Sequence, residues 1–547
     1  MCSYDSLNNV SACADGWLLT SMVRDFWNRS DAYVMSDCGA VEAQFEEKKT
    51  ASSYADAAAQ SMSAGTDWCM GTDFLVHDGL TDALAQGMLT MAQLDAALSR
   101  TLTVRFRLGL FDPPAVASPF RSYGPERINS AAARHVAEEA AAMGAVLLRN
   151  EGGVLPLPLT GAALKSVAIV GPHAISQRDL LGDFYADAFC PGSNNKTNRE
   201  QGCVPTIAAS IAEVLADSRP DVSIYVAQGV SVVGGNYSGA AAAIAAVNAA
   251  DVVVLAVGYN NADVEHEGAD HNFTTLPPLQ AELADDVIAA ARARGIPVVL
   301  LLINAGQIAT DTFAQQPDAV VEAFYPAFGA PAIARQLFGL ENRWGRLPYT
   351  IYESSFADAI PLSDMNVSGA VGRTWRFYNG VPNYRFGDGL SYSHFSLECT
   401  GGPSTVSSTD AFNVSIGCVS TLVGGAPKGD EILHVIHRVG ADVIATVGNT
   451  HPVPRGTLRD FARLSFLEAG GAPGTTTFSL EPLQLTLKNS AGASVLYPGT
   501  HYIDVSPRAP GAMYTLIVTV TGASPVILEA PPPLPPNEAM ARDSTGR

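Results

Sequence analysis

Basic charge is scarce in this sequence. Its 33 Lys and Arg stand against 54 Asp and Glu, for a formal charge of −21. That balance argues against nucleic acid or an anionic membrane as partner, because both need basic patches. Charged residues of either sign make up only 16%, below the roughly 25% of an average globular chain. Long apolar runs are missing too. The best stretch, Ile296 to Ile303, falls far short of the roughly 18 residues that span a bilayer. Met1 is followed by CSYDSLNN, with neither the basic flank nor the apolar core of a signal peptide. No CxxC and no Cys/His zinc spacing occurs. VAIVGPHA (Val167 to Ala174) leads into neither GxGxxG nor a P-loop, so a nucleotide site is not indicated. No internal repeat is visible.

Apolar residues at 47% are present in ordinary globular proportion. Eight cysteines fall in neighbouring couples, and seven Asn-X-Ser/Thr sequons occur, at Asn9, Asn28, Asn195, Asn236, Asn272, Asn366 and Asn413. The cysteines suit either buried thiols or disulfides; with the sequons they favour an oxidising compartment and secretion. A secreted chain without a legible signal peptide leads to the expectation that the true N-terminus lies upstream of Met1.

With 547 residues, several domains are expected. An apolar run at Ala32 to Met35, helical patterns at Gly16 to Trp27 and Tyr54 to Ala64, and a helix capped by Thr90 read as βα units. A second α/β region opens with the helix Ala131 to Gly144. It alternates strands (Ser166 to Val170, Ser223 to Val226, Val252 to Val257, Val298 to Ile303, Val320 to Ala323) with helices. After a Gly- and Pro-interrupted bridge the texture changes to short β-runs with turn signals, including Phe412 to Ile416 and Leu483 to Leu487, as in a β-sandwich. The PPPLPP tail is expected to be disordered.

Two places could carry chemistry. Asp37 follows an apolar strand, where βα architectures place reactive groups; it equally suits a helix cap. Glu265, His266, Glu267 and Asp270 follow the run Asp251 to Val257 and a polar loop. Two carboxylates from different domains would serve a glycosidase, one attacking the sugar carbon and one protonating the leaving oxygen. A solvated acidic loop is the plainer reading. His266 lacks partners at a metal-like spacing.

Longer motifs then speak together. MCSYDSLNNVSACAD, AYVMSDCGAV, AGTDWC and LGLFDP resemble the barrel of glycoside hydrolase family 3, most of all its β-xylosidase branch. GAVLLRNEGGVLPL and YPAFGAPAIARQLFGLENRWGRLPYT resemble the two ends of that family's α/β sandwich domain. GRTWRFYNGVPNYRFGDGLSYSHF resembles the segment leading to its fibronectin type III-like domain. The resemblance implies an α/β plus β chain. Residues 1–112 would hold the last three βα units of a (β/α)₈ barrel, 113–128 a linker and 129–355 an α/β/α sandwich. A connecting segment over 356–394, a fibronectin type III-like β-sandwich over 395–528 and the tail over 529–547 would complete it. It makes Asp37 the nucleophile, puts Tyr4 beside it as a substrate-binding residue, and places the acid/base at Glu265 or Glu267, Glu265 being favoured. It implies bridges Cys2–Cys13 and Cys38–Cys69; Cys190–Cys203 and Cys399–Cys418 are added by extension. Cys38 itself resembles the xylosidase branch. Asp5 stands where that branch usually has Asn, and Gly39 where an acidic residue is common.

The resemblance implies an exo-acting retaining β-glycosidase, a β-D-xylosidase acting on xylo-oligosaccharides, with no cofactor or metal and oligosaccharide as its only implied partner. α-L-Arabinofuranosidase and β-glucosidase are the rivals within that class. A closed barrel needs roughly 200 or more residues, so the first five strands are expected to be missing and this form inactive. The alternative is a non-catalytic remnant that binds carbohydrate or protein.

Overall fold

The first 123 residues contain little continuous strand. The computed structural model describes residues 1–70, 78–113, 116, 118–182, 190, 202–233, 235, 237–260, 264–265, 271, 273–361, 363–402, 404–507 and 513–533. They form two compact units. The first comprises Met1–Tyr123 with Lys488–Ser494 and Glu529–Arg547; the second comprises Gly124–Leu487 and Val495–Leu528.

In the first unit three chain segments run parallel but meet only as single bridges, Cys2 with Ser36 and Met35 with Trp68. The strand expected over Ala32 to Met35 is therefore reduced to its last residue. The reason lies in Asp67, whose carboxylate takes the Val34 N–H at 2.9 Å while its own N–H bonds Val34 O at 2.7 Å. A side chain thus replaces part of the ladder. Asp67 is buried and also pairs with Arg24 at 2.8 Å and Arg100 at 2.7 Å. These arginines belong to the helix Trp17–Phe26, wound as a π-helix, and to α2 (Met91–Arg107). Helix α1 (Tyr54–Ala64) is capped by Ser53 and ends at Gly65 with φ 121°. Thr90 and Gln93 form the expected capping box on α2. These are consecutive βα units of a barrel wall.

The second unit holds a six-stranded sheet. Its strands are β1 (Val146–Asn150), β2 (Ser166–Val170), β3 (Ser223–Ala227), β4 (Val252–Gly258), β5 (Val298–Ile303) and β6 (Ala319–Glu322). The order is β1-β6-β5-β4-β2-β3; β1 alone is antiparallel to its neighbour. Continuous apolar strands suit a parallel sheet covered on both faces. Val167 and Ile169 pack with α4 (Ile207–Ser218) and α7 (Ala330–Leu337). The alternate residues Ala168 and Val170 pack with α5 (Ala240–Ala249) and α6 (Pro278–Arg294). Helix α3 (Ala131–Gly144) precedes β1.

The same unit carries the fibronectin type III-like β-sandwich. Its strands are β7 (Ser393–Gly401), β8 (Thr405–Ser407), β9 (Val414–Gly425), β10 (Lys428–Val439), β11 (Thr457–Glu468), β12 (Gly474–Leu480), β13 (Gly499–Ser506) and β14 (Tyr514–Thr521). They form sheets β8-β14-β13-β10-β11 and β12-β9-β7 over one apolar core. Buried Asp430 joins this sandwich to the α/β layers, accepting from Arg343 at 3.2 Å and Arg463 at 3.0 Å. Arg463 also donates to Met143 O at 2.8 Å.

Candidate active site

Asp37 follows the Cys2–Ser36 bridge. Its N–H bonds Cys2 O at 2.9 Å, so the parallel pairing delivers it at the end of the segment. Oδ1 accepts the Cys38 N–H at 2.8 Å, and Gly39 at φ 75° continues the turn. Asp37 caps no helix; the next one, Ala43–Glu46, has Glu42 at its N-cap. Asp37 stays half-buried beside exposed Cys38. Tyr4 Oη donates to Cys38 O. Lys48 Nζ donates to Tyr4 O, to Asp5 O at 3.1 Å and to Ser6 Oγ at 3.2 Å. Burial lowers the Lys48 pKa, and Asp5 opposes that. Tyr4 and Asp37 therefore share one knot of backbone contacts. Lys48 escaped the sequence reading because EEKK looks like an ordinary solvated run.

Three disulfides are present: Cys2–Cys13, Cys190–Cys203 and Cys399–Cys418. The last joins directly opposed residues of β7 and β9. The Cys38–Cys69 bridge is not formed, and both residues remain thiols. Cys69 is buried and accepts from Ser36 Oγ at 3.3 Å, whereas Cys38 lies in the exposed turn after Asp37.

Glu265 lies in the second unit, beyond β4. Gly258 ends that strand with φ 149°, and a Cβ there would stand 1.9 Å from Ile303 O, so no other residue fits. Gln280, fully buried on α6, bonds the Gly258 N–H at 2.9 Å and its carbonyl at 2.8 Å. Tyr259 N then bonds Ile303 O at 2.8 Å, and Glu265 N bonds Asn260 O at 3.0 Å. The carboxylate meets a set of donors from the turns after β5 and β6. Ala305 N–H reaches Oε1 at 2.6 Å, Gly306 N–H reaches Oε2 at 3.1 Å, and Tyr325 Oη reaches Oε1 at 2.8 Å. His271 Nε2 stands 3.3 Å from Oε2. A Cβ at Gly306 would lie 2.9 Å from that oxygen, so a side chain there would push the Glu265 carboxylate from its donors.

Burial pushes the Glu265 carboxyl up, but hydrogen bonds from His271, Ala305, Tyr325 and Gly306 outweigh it and hold it below the usual value. The His271 ring supplies more than charge. Its Nδ1 contacts Phe273 O, so Nδ1 carries a hydrogen. When Nε2 is protonated as well, the imidazolium donates to Oε2. Sequence reasoning missed His271, Tyr325 and the Ala305–Gly306 amides. They come from three loops that only the sheet brings together, although Tyr325 opens the quoted YPAFG motif. Glu267, His266 and Asp270 lie outside the described residues, as do the sequons at Asn195, Asn236 and Asn272. Among the described residues no group of three His, Cys, Asp or Glu is placed to hold a metal ion. None of their helices is long and apolar enough to cross a membrane.

A barrel-wall unit, a parallel α/β sandwich and a fibronectin type III-like sandwich are the layers of a glycoside hydrolase architecture. Residues 1–104 match the glycosyl hydrolase family 3 N-terminal domain, and residues 145–392 match the family's C-terminal domain. The chain belongs to glycosyl hydrolase family 3. It is 33% identical to a β-xylosidase/α-L-arabinofuranosidase of Medicago sativa over 74% of this chain and 50% of that one. It is 29% identical to a probable exo-1,4-β-xylosidase of Aspergillus terreus over 97% of this chain and 64% of that one. Among solved structures it resembles a family 3 exo-β-xylosidase in complex with a xylobiose aziridine probe, with TM-score 0.78, 25% identity, and coverage of 97% of this chain and 67% of that one. A Listeria innocua β-glucosidase in complex with laminaribiose follows at TM-score 0.75 and 26% identity, over 95% of this chain and 67% of that one. The chain spans about half the length of the plant relatives it matches.

Proposed function

We propose that this chain carries the two carboxyl groups of a secreted, exo-acting retaining β-glycosidase that releases xylose from xylo-oligosaccharides. The observation that carries the reading is the Glu265 cradle: a half-buried carboxylate with fixed donors and the His271 ring beside it. In the first step Asp37 attacks the anomeric carbon and the bond to the leaving oxygen breaks. Glu265 gives that oxygen its proton. In the second step Glu265, now ionised, takes a proton from water, and the water oxygen displaces Asp37 from the sugar. The cradle supports the ionised form that the second step needs, and His271 supports return of the proton. Tyr4 is assigned to the sugar beside Asp37, and Glu267 is the competing acid/base.

The test uses an aryl β-xyloside and a xylobiose aziridine, which traps a carboxylate nucleophile. Label on the peptide containing Asp37, abolished in Asp37→Asn, supports the reading. Glu265→Gln should lose turnover, with recovery by azide on a substrate whose leaving group needs no proton. The same behaviour in Glu267→Gln instead would transfer the acid/base role. Xylo-oligosaccharide that binds but is neither cleaved nor trapped would leave a carbohydrate-binding remnant.

A further inference from the structure

Behind the Glu265 cradle lies a second carboxyl group that the reaction does not use. Glu322 ends β6 and is fully buried. Its register partner on β5 is Leu302, two residues before Asn304. Oε1 accepts the Phe324 N–H at 3.3 Å. Phe324 has φ 54°, a left-handed conformation that a bulky residue adopts only when its surroundings anchor it. The next residue is Tyr325, whose Oη reaches Glu265. The Asn304 side chain lies against the same Glu322 carboxyl, and its Nδ2 donates to Gly306 O. The Ala305 and Gly306 amides that bind Glu265 follow directly.

We propose that the buried carboxyl group of Glu322 is a positioning group for Glu265, tying the turn that aims Tyr325 to the turn that presents the Ala305 and Gly306 amides. Glu322 Oε2 and Asn304 Oδ1 are buried acceptors with no hydrogen-bond partner among the described residues. A proton on Glu322 turns one of its buried oxygens from an acceptor into a donor. Burial raises the Glu322 pKa to about 8; the Phe324 N–H and the Asn304 side chain oppose the rise, and the neighbouring Glu265 charge adds to it. The other groups that face it are the phenols Tyr259, Tyr349 and Tyr384. All three have pKa values raised by burial, so none supplies a compensating cation. At neutral pH the group is a carboxylic acid. Ionisation places an uncompensated charge behind both turns, loosening them and repelling Glu265.

The inference rests on Glu265 as the acid/base, and its test is built to fail separately from that assignment. The full chain is labelled at histidine Cε1, and the His271 signal is assigned by its loss in His271→Asn. In the wild-type protein this signal should show an inflection near pH 8, where Glu322 ionises. Glu322→Gln keeps the shape of the neutral acid and cannot ionise, so it should abolish that inflection. Between about pH 7 and about pH 9, above the range in which the buried histidines titrate, the melting temperature of wild type should fall by a few degrees, and that of the variant should fall less. A Glu322→Gln protein that titrates as wild type overturns the proposal. Should that variant not fold, a wild-type His271 signal without the inflection overturns it equally. Failure of the Glu265 assignment shows elsewhere, as turnover retained in Glu265→Gln.

Discussion

The two candidate carboxylates sit in units built on different physics. Asp37 is delivered by single parallel bridges, held by an ionic knot around Asp67, over a small core rich in Ala and Cys. Large apolar side chains such as Trp27, Phe106, Leu108 and Phe120 stay exposed in that unit. Glu265 follows a strand whose seven residues are all buried, in a sheet covered by helices on both faces. Area burial scales with apolar surface, so the sandwich is stabilised by many interchangeable contacts and the first unit by a few irreplaceable ones. A polar knot is intolerant in a way a large core is not. Removing one partner strands the others in a low dielectric.

Breaking that knot gives the largest effect. Asp67→Ala leaves the guanidinium groups of Arg24 and Arg100 without their shared carboxylate. It should cost about 3–5 kcal/mol in the first unit. Limited proteolysis of the full chain should show new cuts within residues 1–123, while the sandwich transition in calorimetry stays in place. A single transition that moves as a whole would contradict the contrast between the units. The counterpart is Leu301→Ala, fully buried on β5. It should cost about 2–5 kcal/mol in the sandwich transition alone, and the two losses should add in the double variant.

Much of the fold is legible because its elements state themselves locally. Helix Ala131–Gly144 ends where the sequence pattern ends it, and the Thr90 box needs only residues three apart. The losses share a cause as well. The expected strand Leu483 to Leu487 is instead a 3₁₀ turn over Pro482–Leu485, because Pro482 starts it and Glu481 with Gln484 caps it. Val320 to Ala323 reads as a plain apolar strand, yet Glu322 within it carries a buried carboxyl. Nothing in its neighbours announces Asn304 or Glu265. Cys38 and Cys69 are paired by resemblance, yet both remain thiols, Cys38 exposed and Cys69 buried. Single-residue acids were visible; the donors that set their chemistry were not, since these arrive from other strands.

Acid should separate the units from a different direction. The β-sandwich buries His434, whose pKa burial lowers to about 4, helped by Arg346. It also buries His437 and His501, stacked with Nε2 and Nδ1 2.9 Å apart. Burial lowers both of their pKa values. A histidine whose folded pKa is depressed contributes stability above its unfolded value near 6.5, and loses it as pH falls toward the folded value. His434 alone should cost the second unit about 3 kcal/mol between those limits. In a Glu322→Gln background, which removes the opposing titration of that buried carboxyl, melting followed from about pH 7.5 down to about pH 4.5 should show the second unit's transition sinking, and His434→Phe should reduce the slope. An unchanged slope would remove His434 from the account.

The smallest effect probes how each unit tolerates a frayed helix end. Thr90→Ala removes the side chain that accepts from Gln93 N–H, and Thr206→Ala removes the equivalent bond to Ala209 N–H on α4. Each deletion costs about 1 kcal/mol. The consequence should differ, because α2 buries only Ala97 and Thr101, whereas the first turn of α4 carries buried Ile207, Ala208 and Ser210. Opening the first turn of α2 exposes almost nothing, so amide exchange at residues 91–94 should quicken about fivefold in Thr90→Ala. Opening α4 must expose Ile207 to water, so exchange at residues 207–210 should stay close to wild type in Thr206→Ala even as global stability drops. Equal acceleration at both ends would mean that the first unit is packed as firmly as the sandwich, and the contrast between a knot and a core would no longer hold.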